Sequence, residues 1–225
     1  MIKQDENTLV IFSDIGCPWA ALSVYRLHKF RKQLGLEEKL RFDFRSFPLE
    51  IINSMPMSRI LLDEEIPILS TLEPGLDWHI WRQGRADEFP VSTLLAQEAV
   101  QAAKSQGIQA SEKLDFGLRK ALFSQSRCIT MRHVILEVAK EVNIDVESLT
   151  KDLDNGTFRS HLFEQLNLAR QKGVVLSPTI CLPNGKPYPN PGIEITKCQK
   201  NGRTYLEVTK DDSQIYIELI KKMNI

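Results

Sequence analysis

The chain of 225 residues is expected to fold as an α/β protein of order βαβ…ββα, interrupted by a large all-helical insertion. Period-two apolar patterns stand near both ends, a long stretch between them repeats apolar residues at helical spacing, and a second helical pattern closes the chain. Leu9-Val10-Ile11-Phe12 is a short apolar strand, and Ser13-Asp14-Ile15-Gly16 turns the chain after it. Helical spacing follows through Leu22, Val24, Leu27 and Phe30 to Leu34, with Pro18 suited to the first helical position. Residues 40–45 alternate apolar and charged side chains, as a half-exposed strand does. Residues 51–90 read as irregular, with prolines at 56, 67, 74 and 90; within them, Pro74 to Gly84 is expected to form a short helix.

From about residue 91 to 172 the expectation is helical. Ser92–Gln106 carries Leu95, Ala96, Ala99, Val100 and Ala103 on one face and ends at Gly107. Ser111 or Asp115 starts a segment holding Leu118 and Leu122, Met131–Val142 is amphipathic, and Asp145 is an N-cap for the next helix. The last of the block runs through Leu162 and Leu166 to Gly173. Strand character returns at 174–176 and 179–182, and residues 193–196 and 204–208 flank Asn201-Gly202 as a hairpin. Ser213–Met223 closes the chain as a helix. The expected division is one discontinuous α/β domain, residues 1–65 with 173–225, and a helical insertion at 66–172.

Composition excludes several classes. Hydrophobic content of 42% and charged content of 26% are those of a water-soluble globular protein. Twenty-nine basic residues balance 29 acidic ones, so no global field draws the chain to nucleic acid or an anionic membrane. No apolar run approaches the roughly 20 residues of a spanning helix. The opening Met-Ile-Lys-Gln-Asp-Glu-Asn is polar where a secretory signal is basic and then apolar, so a cytoplasmic location is expected. Cys17, Cys128, Cys181 and Cys198 lack metal-ligand spacing and His28, His79, His133 and His161 are scattered, so no metal site is expected.

Cys17 is the candidate nucleophile. It stands between a strand-turn unit and a helix opened by Pro18, where free N–H groups and the macrodipole favour a thiolate. Such a position lowers a thiol pKa from about 8.5 into a range of roughly 3.5–7.5, and the thiolate is the attacking species. Trp19 is expected partly exposed beside the sulfur. Trp78 and Trp81, three apart, are either core residues or an aromatic wall over the Cys17 cleft suited to a flat apolar substrate. Cys181 is expected in the core and Cys198 exposed on the hairpin; Cys128 is structural, or a distal resolving thiol. His28 and His133 fall on helical faces as packed or solvated side chains.

Phe12-Ser13-Asp14-x-x-Cys17-Pro18-Trp19, the second strand, Leu136-x-x-Ala139, Ala169-x-x-x-Gly173-Val174 and Ser177-Pro178-Thr179 together resemble the DsbA-like branch of the thioredoxin superfamily. That branch includes the FrnE-type oxidoreductases and is related to kappa-class glutathione transferases and 2-hydroxychromene-2-carboxylate isomerases. The resemblance implies a thioredoxin-like fold and a cis Pro178 beside the active thiol, with Ser177 offering its backbone to a glutathione-type thiol or a protein substrate. The sequence departs from the Cys-x-x-Cys pattern at Ala20, so no sulfur stands one helical turn along to resolve a mixed disulfide.

The expected function is therefore thiol-disulfide oxidoreduction through Cys17 alone, with Pro18, Trp19, Ser177, Pro178, Trp78 and Trp81 binding substrate or thiol. No bound cofactor is expected; a low-molecular-weight thiol, glutathione or an equivalent, serves as co-substrate. Small thiols or disulfides and protein thiols are the expected partners, and the apolar helical faces permit a homodimer. A glutathione-transferase or isomerase-like enzyme, or a redox-inactive binding scaffold, is the alternative.

Overall fold

A computed structural model describes residues 7–82, 89–200, 202–223 and 225. Strand β1 (Thr8–Ser13), helix α1 (Pro18–Gln33) and strand β2 (Arg41–Ser46) form a βαβ unit with β1 and β2 parallel. Two short strands, β3 (Thr179–Cys181) and β4 (Pro187–Pro189), add on antiparallel to give the order β2-β1-β3-β4. A separate hairpin of β5 (Ile193–Lys200) and β6 (Arg203–Asp211) leads to the closing helix, which packs on α1.

β1 is apolar on both faces because both faces are covered. Leu9 and Ile11 join the main core with Leu22, Leu27, Phe42 and Phe44. Val10 and Phe12 pack on the other side with Leu166, Ala169 and Cys181. The central position of β1 therefore fixes where its C-terminal turn, and Cys17 after it, emerge from the sheet. Buried Arg26 anchors α1: its guanidinium donates to both Asp211 carboxylate oxygens, at 2.6 and 3.0 Å, and to Glu73 at 3.4 Å.

The charged face of β2 is partly exposed at Arg41 and Arg45, as expected, but closed at Asp43. Asp43 is buried, held by Arg45 and by Lys104 Nζ at 2.6 Å, and the helical block covers that edge. Paired charges can be buried where isolated ones cannot, which alternation alone does not reveal.

Residues 51–76 are more regular than their prolines suggest. α2 (Leu49–Ile52) is followed by α3 (Arg59–Leu72), with Pro67 inside it and the Ser58 hydroxyl accepting from Leu61 N–H. Burial of Leu62, Ile66 and Leu69 on one face offsets the backbone bond that Pro67 removes. The expected boundary at residue 66 thus falls within α3. The short helix expected over Pro74–Gly84 is a single 3-10 turn at Pro74–Leu76 followed by irregular chain; residues 83 and 84 lie outside the described residues.

The helical block is α4 (Leu94–Ala102), α5 (Ile108–Phe123), α6 (Arg132–Glu141), α7 (Val146–Asn155) and α8 (Arg159–Gln171). Asp145 caps α7, its carboxylate accepting from the N–H groups of Glu147 and Ser148. No strand forms at 174–176. Gly173, at φ +68°, ends α8, and the Val174 N–H returns to the Ala169 carbonyl, so Val175 and Leu176 project outward. β4 was not anticipated, because its Pro-Tyr-Pro sequence carries no strand signal. The hairpin and the final helix, α9 (Gln214–Lys221), follow the expected positions, although Asn201 lies outside the described residues. Among the described residues no helix is long and apolar enough to cross a membrane.

Candidate functional site

Cys17 occupies the N-cap of α1 with extended backbone angles, and Pro18 is the first helical residue. Its Sγ lies 3.3 Å from the carbonyl oxygen of Ser177, to which the thiol donates. The Ser177–Pro178 peptide bond is cis, and Ser177 Oγ accepts from the Asp14 N–H at 3.0 Å. Residues 160 positions apart in sequence are thus held face to face at the C-terminal end of β1.

The turn that delivers Cys17 is fixed from beneath. Asp14 is buried, and its carboxylate accepts from Gly16 N at 2.7 Å, Leu49 N at 2.7 Å and Thr93 Oγ1 at 2.8 Å. A Cβ at Gly16 would stand 2.5 Å from Met57 Sδ and 2.8 Å from Thr93 Cγ2, so the close approach of these two side chains to the turn favours glycine there. Arg119 of α5 donates to the Asp14 carbonyl at 2.9 Å and to Ser13 Oγ at 2.8 Å while pairing with Asp115. The sequence singled out neither Thr93 nor Arg119, and Asp115 only as a helix start, since nothing local relates them to Cys17.

A cavity of about 360 Å³ opens beside the thiol. Leu49, Met55, Met57, Leu61, Leu62 and Leu176 give it an apolar lining, and Cys17, Pro18, Trp19, Glu65 and Ser177 contribute to its wall. Cys17 is the only one of the four cysteines that lines it. Trp19 is buried rather than half-exposed, because its indole N–H donates to Glu65 Oε1 at 2.9 Å. Trp78 and Trp81 are core residues and form no aromatic wall. Trp78 donates to the Glu73 carbonyl at 2.9 Å and packs on Phe123, while Trp81 meets Phe89 edge to face. His79 pairs with Asp77 outside the cavity. His28 packs between Phe42 and Phe116, and burial with Arg31 beside it lowers its pKa to about 3. Cys181 is in the core, and half-buried Cys198 donates its thiol to Glu207 at 3.1 Å.

The electrostatics differ from the expectation for a helix-opening thiol. Burial, helped by the Glu65 and Asp14 carboxylates, pushes Cys17 up to about 11, against the pull of hydrogen bonds from the Ser177 side chain and the Ala20 backbone. Cys17 is 5% exposed, and desolvation of the thiolate outweighs the helix terminus. The free protein therefore holds Cys17 as a thiol at neutral pH. Because folding retains this proton more tightly, the thiol's contribution to stability falls as pH rises from the ordinary cysteine range toward 11. Alkylation of Cys17 by iodoacetamide is expected to rise about tenfold per pH unit from 7 to 9 with no plateau, since only the thiolate reacts. A plateau below pH 8, read by peptide mass spectrometry, would contradict this.

A thiol on the first helix of a βαβ unit, opposed by the residue before a cis proline and overhung by an inserted helical block, defines a thioredoxin-like protein. The DSBA-like thioredoxin domain matches residues 8–194, and the chain belongs to that family. It is 26% identical over 174 residues to the ClpXP adapter protein SpxH of Bacillus subtilis (strain 168), a match covering 76% of this chain and 56% of that protein. The chain thus spans little more than half the length of that relative. Among solved structures, the cytosolic disulfide reductase DsbM from Pseudomonas aeruginosa superposes with a TM-score of 0.65 at 17% identity, covering 96% of this chain and 94% of DsbM. The DsbM structure with GSH gives 0.59 at 15% identity, covering 96% and 95%. A 2-hydroxychromene-2-carboxylate isomerase gives 0.61 at 15% identity, covering 81% and 88%. These likenesses are of fold.

Proposed function

We propose that the protein carries out thiol–disulfide exchange through Cys17 alone, with an external low-molecular-weight thiol, glutathione or an equivalent, completing the cycle. The observation that carries this reading is the 3.3 Å approach of Cys17 Sγ to the Ser177 carbonyl at the wall of an apolar cavity. Cys17 attacks one sulfur of a bound disulfide, forming a mixed disulfide; its proton leaves and the departing thiolate takes one up. A second, external thiol attacks the Cys17 sulfur's partner, regenerating the Cys17 thiol and releasing a new disulfide. Docking activates the nucleophile. An N–H of the substrate takes the Ser177 carbonyl, the thiol loses the acceptor that favours its protonated form, and attack proceeds from the thiolate. A cytosolic setting, rich in reduced thiols, suits this cycle, and the DsbM neighbour named as a cytosolic disulfide reductase supports it.

A second reading, a binding scaffold, is favoured by the raised pKa of Cys17 and by the adapter role in the name of the Bacillus relative. The two part on one reaction. Reduced protein treated with 2-hydroxyethyl disulfide is expected to gain one adduct, which added thiol removes and Cys17→Ser abolishes; a scaffold stays unmodified.

A further inference from the structure

The charge of the cavity selects among the disulfides that Cys17 can accept. The described residues that line it include the carboxylates of Asp14, Glu50 and Glu65 and no lysine, arginine or histidine. The Asp14 carboxylate is held by Gly16 N, Leu49 N and Thr93 Oγ1, its pKa raised by burial, and Arg119 approaches it only through the Asp14 carbonyl. Glu50 and Glu65 are held by neutral donors: Ser92 Oγ and Thr93 N at 2.9 and 2.8 Å for Glu50, and the Trp19 indole N–H for Glu65. One oxygen of Glu65 is engaged by Trp19, two residues from Cys17, so its charge sits at the mouth of the reaction. An anionic thiol entering this cavity meets negative charge across an apolar, weakly screening lining, and its own carboxylates find no cationic partner there.

We propose that Glu65 is a specificity-determining residue that directs the Cys17 site to apolar thiols and disulfides that are neutral or cationic near sulfur and away from anionic ones. Of the co-substrates considered above, an uncharged or cationic equivalent, rather than glutathione, then completes the cycle. The proposal rests on the exchange reaction put forward above and narrows its substrate class. Burial raises the Glu65 pKa above the ordinary carboxylate range and donation from Trp19 opposes it, so the effect strengthens as pH rises and is read at mildly alkaline pH.

The test measures mixed-disulfide formation on the Cys17 peptide at pH 8 with dicationic cystamine, neutral 2-hydroxyethyl disulfide and anionic glutathione disulfide. Each rate is normalised to that of the urea-unfolded chain, which removes intrinsic reactivity. Cystamine is expected to exceed glutathione disulfide by about tenfold or more, as one close unit charge in a partly desolvated site supplies. Glu65→Gln, which keeps an acceptor for Trp19, is expected to shrink that ratio several-fold, and high salt to narrow it in the parent. Glutathione disulfide reacting fastest, or a ratio unmoved by Glu65→Gln, overturns the assignment while leaving single-thiol exchange intact. No Cys17 adduct with any of the three disulfides overturns both.

Discussion

The Arg119→Met variant is expected to lose about 3–5 kcal/mol of stability, the cost of breaking a buried ion pair from one side. Arg119 and Asp115 have side chains 1% and 2% exposed and are joined by hydrogen bonds of 2.7 and 3.1 Å. With the guanidinium gone, Asp115 keeps a buried carboxyl whose pKa burial already pushes up, now without the opposing charge. The Ser13–Asp14 turn loses two donors at the same stroke. Urea unfolding followed by fluorescence reads the loss directly. The double variant Arg119→Met with Asp115→Leu is expected to recover much of it, because an apolar pair of similar volume leaves no stranded charge. A single variant within about 1 kcal/mol of the parent would show that the pair is dispensable.

Ala20→Cys is expected to change the outcome of exchange rather than its first step. Ala20 stands three residues beyond Cys17 in the first turn of α1, where side chains at that spacing share a face. A thiol there attacks the mixed disulfide on Cys17 within the same helix turn, and well-oriented intramolecular reactions reach effective concentrations of about 10⁵ M and above. The parent is expected to accumulate an adduct that persists until external thiol arrives. The variant is expected to release the small thiol at once and end lighter by two hydrogens, as an intrachain disulfide. Ala20 is fully buried, so the added sulfur costs about 1–3 kcal/mol of packing, which a folded domain of this size tolerates. An adduct as long-lived in Ala20→Cys as in the parent would deny that the missing fourth-position sulfur sets the chemistry.

The parts of this account that were legible in the sequence are those written in local signals. Leu9–Phe12, the turn, Cys17 and Pro18 specify strand, turn and helix start within a dozen neighbouring residues, and Asp145 and Gly173 mark helix ends by their own chemistry. The Ser177–Pro178 segment was legible only through its family resemblance. What stayed hidden depends on tertiary partners. Pro67 sits in a helix because the apolar face around it is buried. Asp43 is internal because Lys104 and Arg45 meet it. Trp78 and Trp81 lost their expected helix, and with it their place over the thiol, when the chain after Leu76 ran on irregularly into the core. The acidity of Cys17 departs from what its helix-opening position implies for the same reason. A helix N-terminus is visible in sequence, whereas the burial that overrides it arises where the fold brings distant segments, Met57, Leu62 and Ser177 among them, around the cavity beside the thiol.

Peptide mapping of the reduced protein after reaction with 2-hydroxyethyl disulfide tests the central claim most directly. The account predicts a mixed disulfide on Cys17, displaced by added thiol and absent from Cys17→Ser. Label confined to Cys128 or Cys198, with Cys17 recovered unmodified, would contradict it and leave a thioredoxin-like scaffold without single-thiol exchange.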